Sequence, residues 1–132
     1  MPLDVLLVDD HKIMRDGVRA ILSRSAEFRV VGEAENGTDA VQCVKRLRPQ
    51  LVLMDIGLPG LNGHEVCRHI RRQPWGEHIM VISLTGWGQE DDRRKSEEAG
   101  FNGHLVKPVD YDKLLNLLST VTDDAVKSNV DD

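Results

Sequence analysis

The sequence predicts an α/β domain built on a doubly wound, five-stranded parallel sheet, and three observations carry that prediction. Apolar runs of about four residues, Val5 to Val8, Leu51 to Met54 and Ile79 to Ile82, are too short for buried helices and rich in Val, Ile and Leu, as central strands covered on both faces require. Between these runs the apolar period becomes helical. The alternation occurs five times in 132 residues, which suits one domain that buries roughly two-thirds of its unfolded surface.

The three runs are therefore β1, β3 and β4. Val30-Val31-Gly32-Glu33-Ala34 is patchier and Leu105-Val106 is short, as edge strands tend to be, which makes them β2 and β5. Ile13, Met14, Val18, Ile21 and Leu22 form the stripe of a first helix, and Ala40, Val41, Val44 and Leu47 that of a second. Val66 and Ile70 mark a third. The segment Glu90 to Ala99 takes the fourth helical position with little beyond Ser96 and Ala99 to bury, so it reads as the least stable helix, held by i,i+4 pairs such as Glu90 with Arg94. Leu114, Leu115, Leu118 and Val121 mark a last helix, begun by Asp110 as N-cap.

Composition excludes several classes. Hydrophobic residues make up 40% and charged residues 30%, so the chain is neither disordered nor collagenous. No apolar run approaches the roughly twenty residues of a membrane span. The start, Met1-Pro2-Leu3-Asp4, has neither the basic nor the long apolar part of a secretory signal, so the cytoplasm is the expected location and no membrane partner is expected. Cys43 and Cys67 fall in helix-like segments and are expected to be reduced and buried. Residues 1–122 hold 16 basic and 18 acidic residues, whereas residues 123–132 hold Lys127 against four aspartates. A body so near neutrality lacks the basic bias of a nucleic-acid-binding domain. The expected organisation is a single domain over 1–122 followed by an acidic, disordered tail over 123–132.

In a doubly wound sheet, ligands sit beyond the carboxyl ends of the strands. Those ends carry Asp9 and Asp10 after β1, Asp55 after β3, Thr85 after β4 and Lys107-Pro108 after β5. Three carboxylates in one crevice repel one another unless a cation joins them. Ligation by oxygen, without His or Cys at these positions, favours a hard ion, Mg²⁺ or Mn²⁺.

These segments, Val5-Leu-Leu-Val-Asp-Asp-His11, Leu51-Val-Leu-Met-Asp-Ile-Gly-Leu-Pro-Gly-Leu-Asn-Gly63, Ile82-Ser-Leu-Thr-Gly86 and His104-Leu-Val-Lys-Pro108, resemble in order the motifs of the receiver domain of bacterial two-component response regulators. The resemblance covers roughly residues 3–121. It implies a flavodoxin-like (βα)5 fold with strand order 2-1-3-4-5, and a domain that is not an enzyme in the ordinary sense but catalyses its own phosphorylation and dephosphorylation. By this resemblance Asp55 accepts a phosphoryl group from a histidine kinase or histidine phosphotransfer protein. Mg²⁺ would be held by Asp10, Asp55 and the backbone carbonyl of Gly57, with Asp9 completing the shell through water. Lys107 would pair with one phosphoryl oxygen and the Thr85 hydroxyl with another. Gly86 would leave room for the donor, and the family places a cis peptide before Pro108. The implied output is an altered surface near the fourth helix, β5 and the fifth helix, read by a downstream target or a fused output domain.

The sequence departs from the family at His104, where the family usually carries Tyr or Phe as a switch residue; an imidazole is smaller and titrates. Gly57 and Trp87 hold positions that in the family tune dephosphorylation. The first half resembles receivers attached to DNA-binding outputs and the second half those of hybrid histidine kinases. The ten mostly polar residues after position 122 contain no helix-turn-helix, so a stand-alone receiver and a receiver cut from a longer chain both stay open.

Other functions fit less well. A haloacid-dehalogenase-like phosphatase needs Asp-x-Asp, and Asp55-Ile56-Gly57 lacks the second carboxylate; a flavodoxin would place a flavin phosphate against Asp9-Asp10. A phosphorylation-independent interaction domain remains the alternative. His64 and His69 are five residues apart, about 500° round a helix, so they read as surface histidines and not a zinc pair. Gly57, Gly60 and Gly63 read as a loop around Pro59 leading into a helix. Arg68, Arg71 and Arg72 read as a solvated basic helix end.

Overall fold

The computed structural model describes residues 2–86 and 98–119. Five parallel strands, β1 (Leu3–Val8), β2 (Phe28–Ala34), β3 (Leu51–Asp55), β4 (Met80–Thr85) and β5 (Gly103–Val106), lie in the order β2-β1-β3-β4-β5. The helices are α1 (Lys12–Leu22), α2 (Gly37–Leu47) and α3 (Gly63–Arg71), with a 3₁₀ turn at Pro74–Gly76 and a C-terminal helix over 111–119. The patchy strand and the short strand predicted as edges are the two edges. Of the predicted fourth helix only residues 98 and 99 lie among the described residues, and these are helical; its predicted weakness falls outside them, as does residue 121 of the last stripe.

Alternation along the central strands sorts their side chains into two cores. Leu6, Val8, Val52, Met54 and Val81 face one side, where Ala40 and Val44 of α2 and Val66, Cys67 and Ile70 of α3 cover them. Val5, Leu7, Leu51, Leu53, Ile82 and Leu84 face the other, under Val18 and Leu22 of α1 and Leu114 and Leu118 of the C-terminal helix. A run that is apolar at every position is thus explained by a sheet buried on both faces. Each such Leu or Ile contributes about 2–3 kcal/mol through burial. At the β1–β2 pairing the register slips between Val5 and Leu6, leaving Val31 unpaired as a bulge.

Caps set where the helices start. The Asn36 side chain accepts from the Asp39 N–H at 2.8 Å, and the Asn62 side chain from the Glu65 N–H at 3.0 Å. Asp110 Oδ1 accepts from the N–H groups of Asp112 (2.8 Å) and Lys113 (3.2 Å), as its predicted capping role requires. Each cap contributes about 1 kcal/mol.

Four residues sit differently from expectation. Ile13, placed in the buried stripe of α1, is 84% exposed, because the stripe toward the sheet starts one residue later at Met14. Cys67 is buried, but Cys43 is only half-buried. His64 is not a surface residue: it is half-buried, its ring edge-on to Phe101 at 5.8 Å. Arg71 is not a solvated helix end. Its Nε donates to Gly100 O (2.9 Å), Nη1 to Gly76 O (2.7 Å) and Ile79 O (2.6 Å), and Nη2 to Asn102 Oδ1 (2.7 Å). Burial lowers its pKa from the ordinary arginine value, but the four acceptors hold it in place. Asn102 Oδ1 also receives the Val81 N–H at 2.8 Å, so Arg71 ties the end of α3 to the start of β4 and the approach to β5.

Candidate functional site

Parallel strands with right-handed crossovers bring all their carboxyl ends to one edge of the sheet. Asp9 follows β1, Asp55 ends β3, Thr85 ends β4 and Lys107 follows β5. Asp9, Asp55 and Thr85 are 3%, 4% and 3% exposed, so three polar side chains are embedded where the two apolar cores meet the surface.

Asp9 is held from several directions. Its N–H donates to Ala34 O at 3.0 Å, its carbonyl accepts from Arg15 Nη1 at 2.6 Å, and its Oδ1 accepts from the His11 N–H at 2.9 Å. Arg15 is itself positioned by Glu33 Oε1 (2.9 Å), whose other oxygen takes Arg19 Nη2 at 2.6 Å. The Arg19 hydrogen bond, helped by Arg15, keeps the Glu33 carboxyl below the usual carboxylate range despite partial burial.

Asp55 Oδ1 accepts the Gly57 N–H at 3.1 Å, which folds the loop after β3 back toward the carboxylate. Gly63 completes this turn. Its N–H donates to Ile56 O at 2.9 Å, and a Cβ there would stand 2.8 Å from both Asp55 O and Ile56 Cα. Gly60 in the same loop has φ +73°, a left-handed conformation that glycine adopts without penalty.

Lys107 Nζ lies 3.0 Å from Asp9 Oδ2 and 3.4 Å from Asp55 Oδ2. Burial alone would lower the pKa of its ammonium, but Asp9 and Asp55 outweigh burial and hold it above the ordinary lysine value. The Lys107–Pro108 peptide is cis, and the Lys107 N–H donates to Thr85 O at 2.7 Å, locking the lysine backbone to the end of β4. Thr85 Oγ1 donates to Leu105 O across a long 3.4 Å. His104 is half-buried in β5, in register with Ser83. Ser83 Oγ is buried with no hydrogen-bond partner among the described residues. Gly57 is exposed beside Asp55, and Trp87 lies outside the described residues.

One ligand atom from each of Asp9, Asp10, His11 and Asp55 falls within 4.8 Å of the others. The three aspartates are the predicted set; His11 was not read as a member from the sequence, although its place directly after the acidic pair at the start of α1 was the available signal. Asp9 Oδ2 is buried, makes no further hydrogen bond among the described residues, and pairs with the Lys107 ammonium at 3.0 Å. Three carboxylates share the charge of Lys107 here, and a hard cation among their oxygens would offset the remaining repulsion. The residues present therefore fit a divalent ion.

The family model described as response regulator receiver domain matches residues 5–119. Chemotaxis protein CheY of Halobacterium salinarum is 40% identical over 121 residues, spanning 92% of this chain and 98% of that protein. Nitrate/nitrite response regulator protein NarL of Escherichia coli K12 is 34% identical over 117 residues, spanning 89% of this chain but 53% of NarL. The chain thus corresponds to about half of a relative of that kind and to nearly the whole of the other. Among solved structures, the receiver domain of sensor histidine kinase PA1611 from Pseudomonas aeruginosa, described with a magnesium ion coordinated in its active-site cleft, superposes with a TM-score of 0.78 at 33% identity, covering 91% of this chain and 97% of that one. By the extent of the family match, and by a five-stranded sheet in the order 2-1-3-4-5 with an acidic pocket at its carboxyl edge, the chain belongs to the response regulator receiver domains.

Proposed function

We propose that Asp55 is the phosphoacceptor of this receiver and takes a phosphoryl group from a phosphohistidine of a histidine kinase or histidine phosphotransfer protein. The observation that carries this reading is the placement of the Lys107 ammonium between the Asp9 and Asp55 carboxylates, 3.0 and 3.4 Å away, at the sheet edge where a donor can approach. An Asp55 carboxylate oxygen attacks phosphorus, the P–N bond to the donor imidazole breaks as the P–O bond forms, and the imidazole leaves. Asp10, Asp55 and the Gly57 carbonyl, with Asp9 through water, would hold Mg²⁺ (or Mn²⁺), which would supply positive charge against the phosphoryl oxygens. Lys107 stays charged through the physiological range and pairs with a phosphoryl oxygen as it lets go of the Asp55 carboxylate. The long Thr85–Leu105 bond is a weak tether, so the Thr85 hydroxyl is available to turn and donate to the acyl phosphate.

In this reading residues 1–122 are the receiver and 123–132 a polar tail. The protein acts in the cytoplasm as a signalling phosphoacceptor that also hydrolyses its own acyl phosphate. The movement of Thr85 reaches His104 and the surface of the fourth helix, β5 and the fifth helix, which a downstream protein or a fused output domain reads. The test is intact mass after incubation with Mg²⁺ and acetyl phosphate. A gain of one phosphoryl group, about 80 Da, that is lost without Mg²⁺ and in Asp55→Asn supports the reading. No gain in the wild-type protein refutes it in favour of a phosphorylation-independent interaction domain.

A further inference from the structure

The acidic pocket carries a nitrogen donor that its proposed Mg²⁺ chemistry does not use. His11 Nδ1 stands 3.0 Å from Asp10 Oδ1 and 3.3 Å from Asp9 Oδ1, and its side chain is 69% exposed. Two adjacent ligand atoms of an octahedral ion with bonds of about 2.1 Å are about 3.0 Å apart, so this imidazole and the Asp10 carboxylate already stand at the spacing of neighbouring ligands. The buried Asp9 Oδ2, which beside its ion pair with Lys107 at 3.0 Å makes no further hydrogen bond among the described residues, is a second sign that the pocket is built to meet positive charge. Metal binding would replace the Nδ1 contact with Asp9 Oδ1 without loss of a helix cap, since His11 occupies the N-cap position of α1 yet its side chain makes no capping hydrogen bond.

We infer that His11 is a metal ligand, and that it gives this pocket a preference for divalent first-row transition cations over Mg²⁺ beyond that of three carboxylates. Magnesium takes oxygen donors and keeps its waters, whereas Co²⁺, Ni²⁺ and Zn²⁺ gain from an imidazole. Ligation uses the neutral ring with its proton on Nε2, so that the Nδ1 lone pair faces the ion. The inference rests on the reading that the aspartate cluster takes a divalent ion, and adds to it which ion and through which further residue.

The experiment is calorimetric titration of the whole chain with Co²⁺ and separately with Mg²⁺, for wild type, His11→Ala and His11→Phe, the last keeping a ring without a nitrogen. Because His11 makes no cap bond, both variants are expected to fold, and circular dichroism checks this. The expected result is a ratio of Co²⁺ to Mg²⁺ affinity that falls at least about tenfold in both variants, the scale on which groups around a metal act, with a change in the visible absorption of bound Co²⁺. A ratio that stays within about twofold overturns the role of His11 while leaving the Mg²⁺ reading intact. Binding of neither cation by the wild-type protein overturns both.

Discussion

Replacing Lys107 by Met tests the electrostatics of the pocket directly, since methionine keeps much of the aliphatic stem and deletes the charge. The ammonium lies 3.0 Å from Asp9 Oδ2 and 3.4 Å from Asp55 Oδ2. With an effective dielectric near 20, each such attraction is about 5 kcal/mol before desolvation, and desolvation cancels much of it. What the substitution exposes is the remainder together with the repulsion of carboxylates that no longer share a counter-charge. Removing one partner of a buried pair costs about 3–5 kcal/mol. The Lys107 side chain is 17% exposed, which lowers the expectation to about 2–4 kcal/mol. Urea unfolding at neutral pH without added divalent ion reads this loss, and Mg²⁺ is expected to narrow the gap because a dication bound to the folded state supplies the missing positive charge. The sign with pH follows from the raised pKa of Lys107. The ammonium's contribution is fully present below the ordinary lysine value of 10.5 and is lost as pH rises through the higher folded value. Wild type and variant should therefore converge only in strongly alkaline solution. A loss below about 0.5 kcal/mol at neutral pH, or a gap that Mg²⁺ leaves untouched, would refute the reasoning.

Arg71→Met removes four hydrogen bonds from one guanidinium and should destabilise the fold by about 3–5 kcal/mol in urea unfolding; Arg71→Lys should recover less than half of that, because an ammonium cannot reach acceptors arranged around a planar fork. Glu33→Gln should cost about 0.5–1 kcal/mol at neutral pH. Since the folded pKa of Glu33 is lowered from 4.5, that contribution is present above the ordinary value and lost as pH falls through the folded one, so denaturation curves of the two proteins should merge in acid. Gly63→Ala puts a Cβ 2.8 Å from two backbone atoms of the Asp55 loop, for which overpacking of about 1–3 kcal/mol is expected, along with slower acyl-phosphate formation at Asp55 by the intact-mass assay. Burial raises the Cys67 thiol to about 11, so iodoacetamide at neutral pH should modify Cys43 first and Cys67 only at the rate of unfolding.

Much of the fold was legible because it is written in local periods. A run such as Leu51 to Met54 with no polar interruption can only be a strand covered on both sides, and the two cores of the structure are that statement realised. The candidate site was legible for a related reason: in a parallel sheet the carboxyl ends of the strands must meet, so Asp9, Asp10, Asp55, Thr85 and Lys107 could be gathered from their positions along the chain alone. The misreadings share a cause. Arg71 looked like one of three solvated arginines because its acceptors, Gly76, Ile79, Gly100 and Asn102, come from loops whose approach no helical period encodes. His64 looked exposed because its partner Phe101 lies on the far side of β4 in sequence. Ile13 fits the apolar stripe of α1 in pattern, yet the face of α1 turned to the sheet begins at Met14 and leaves Ile13 in water. Chain-local patterning and parallel topology suffice for the order of strands and helices along the chain and for the residues of the acidic pocket. The pairing of charges across that pocket, the approach of His11 to it and the fastening of α3 to the sheet by one arginine arise in three dimensions, because hydrogen bonds and ion pairs depend on distances of a few tenths of an ångström between segments far apart in the chain.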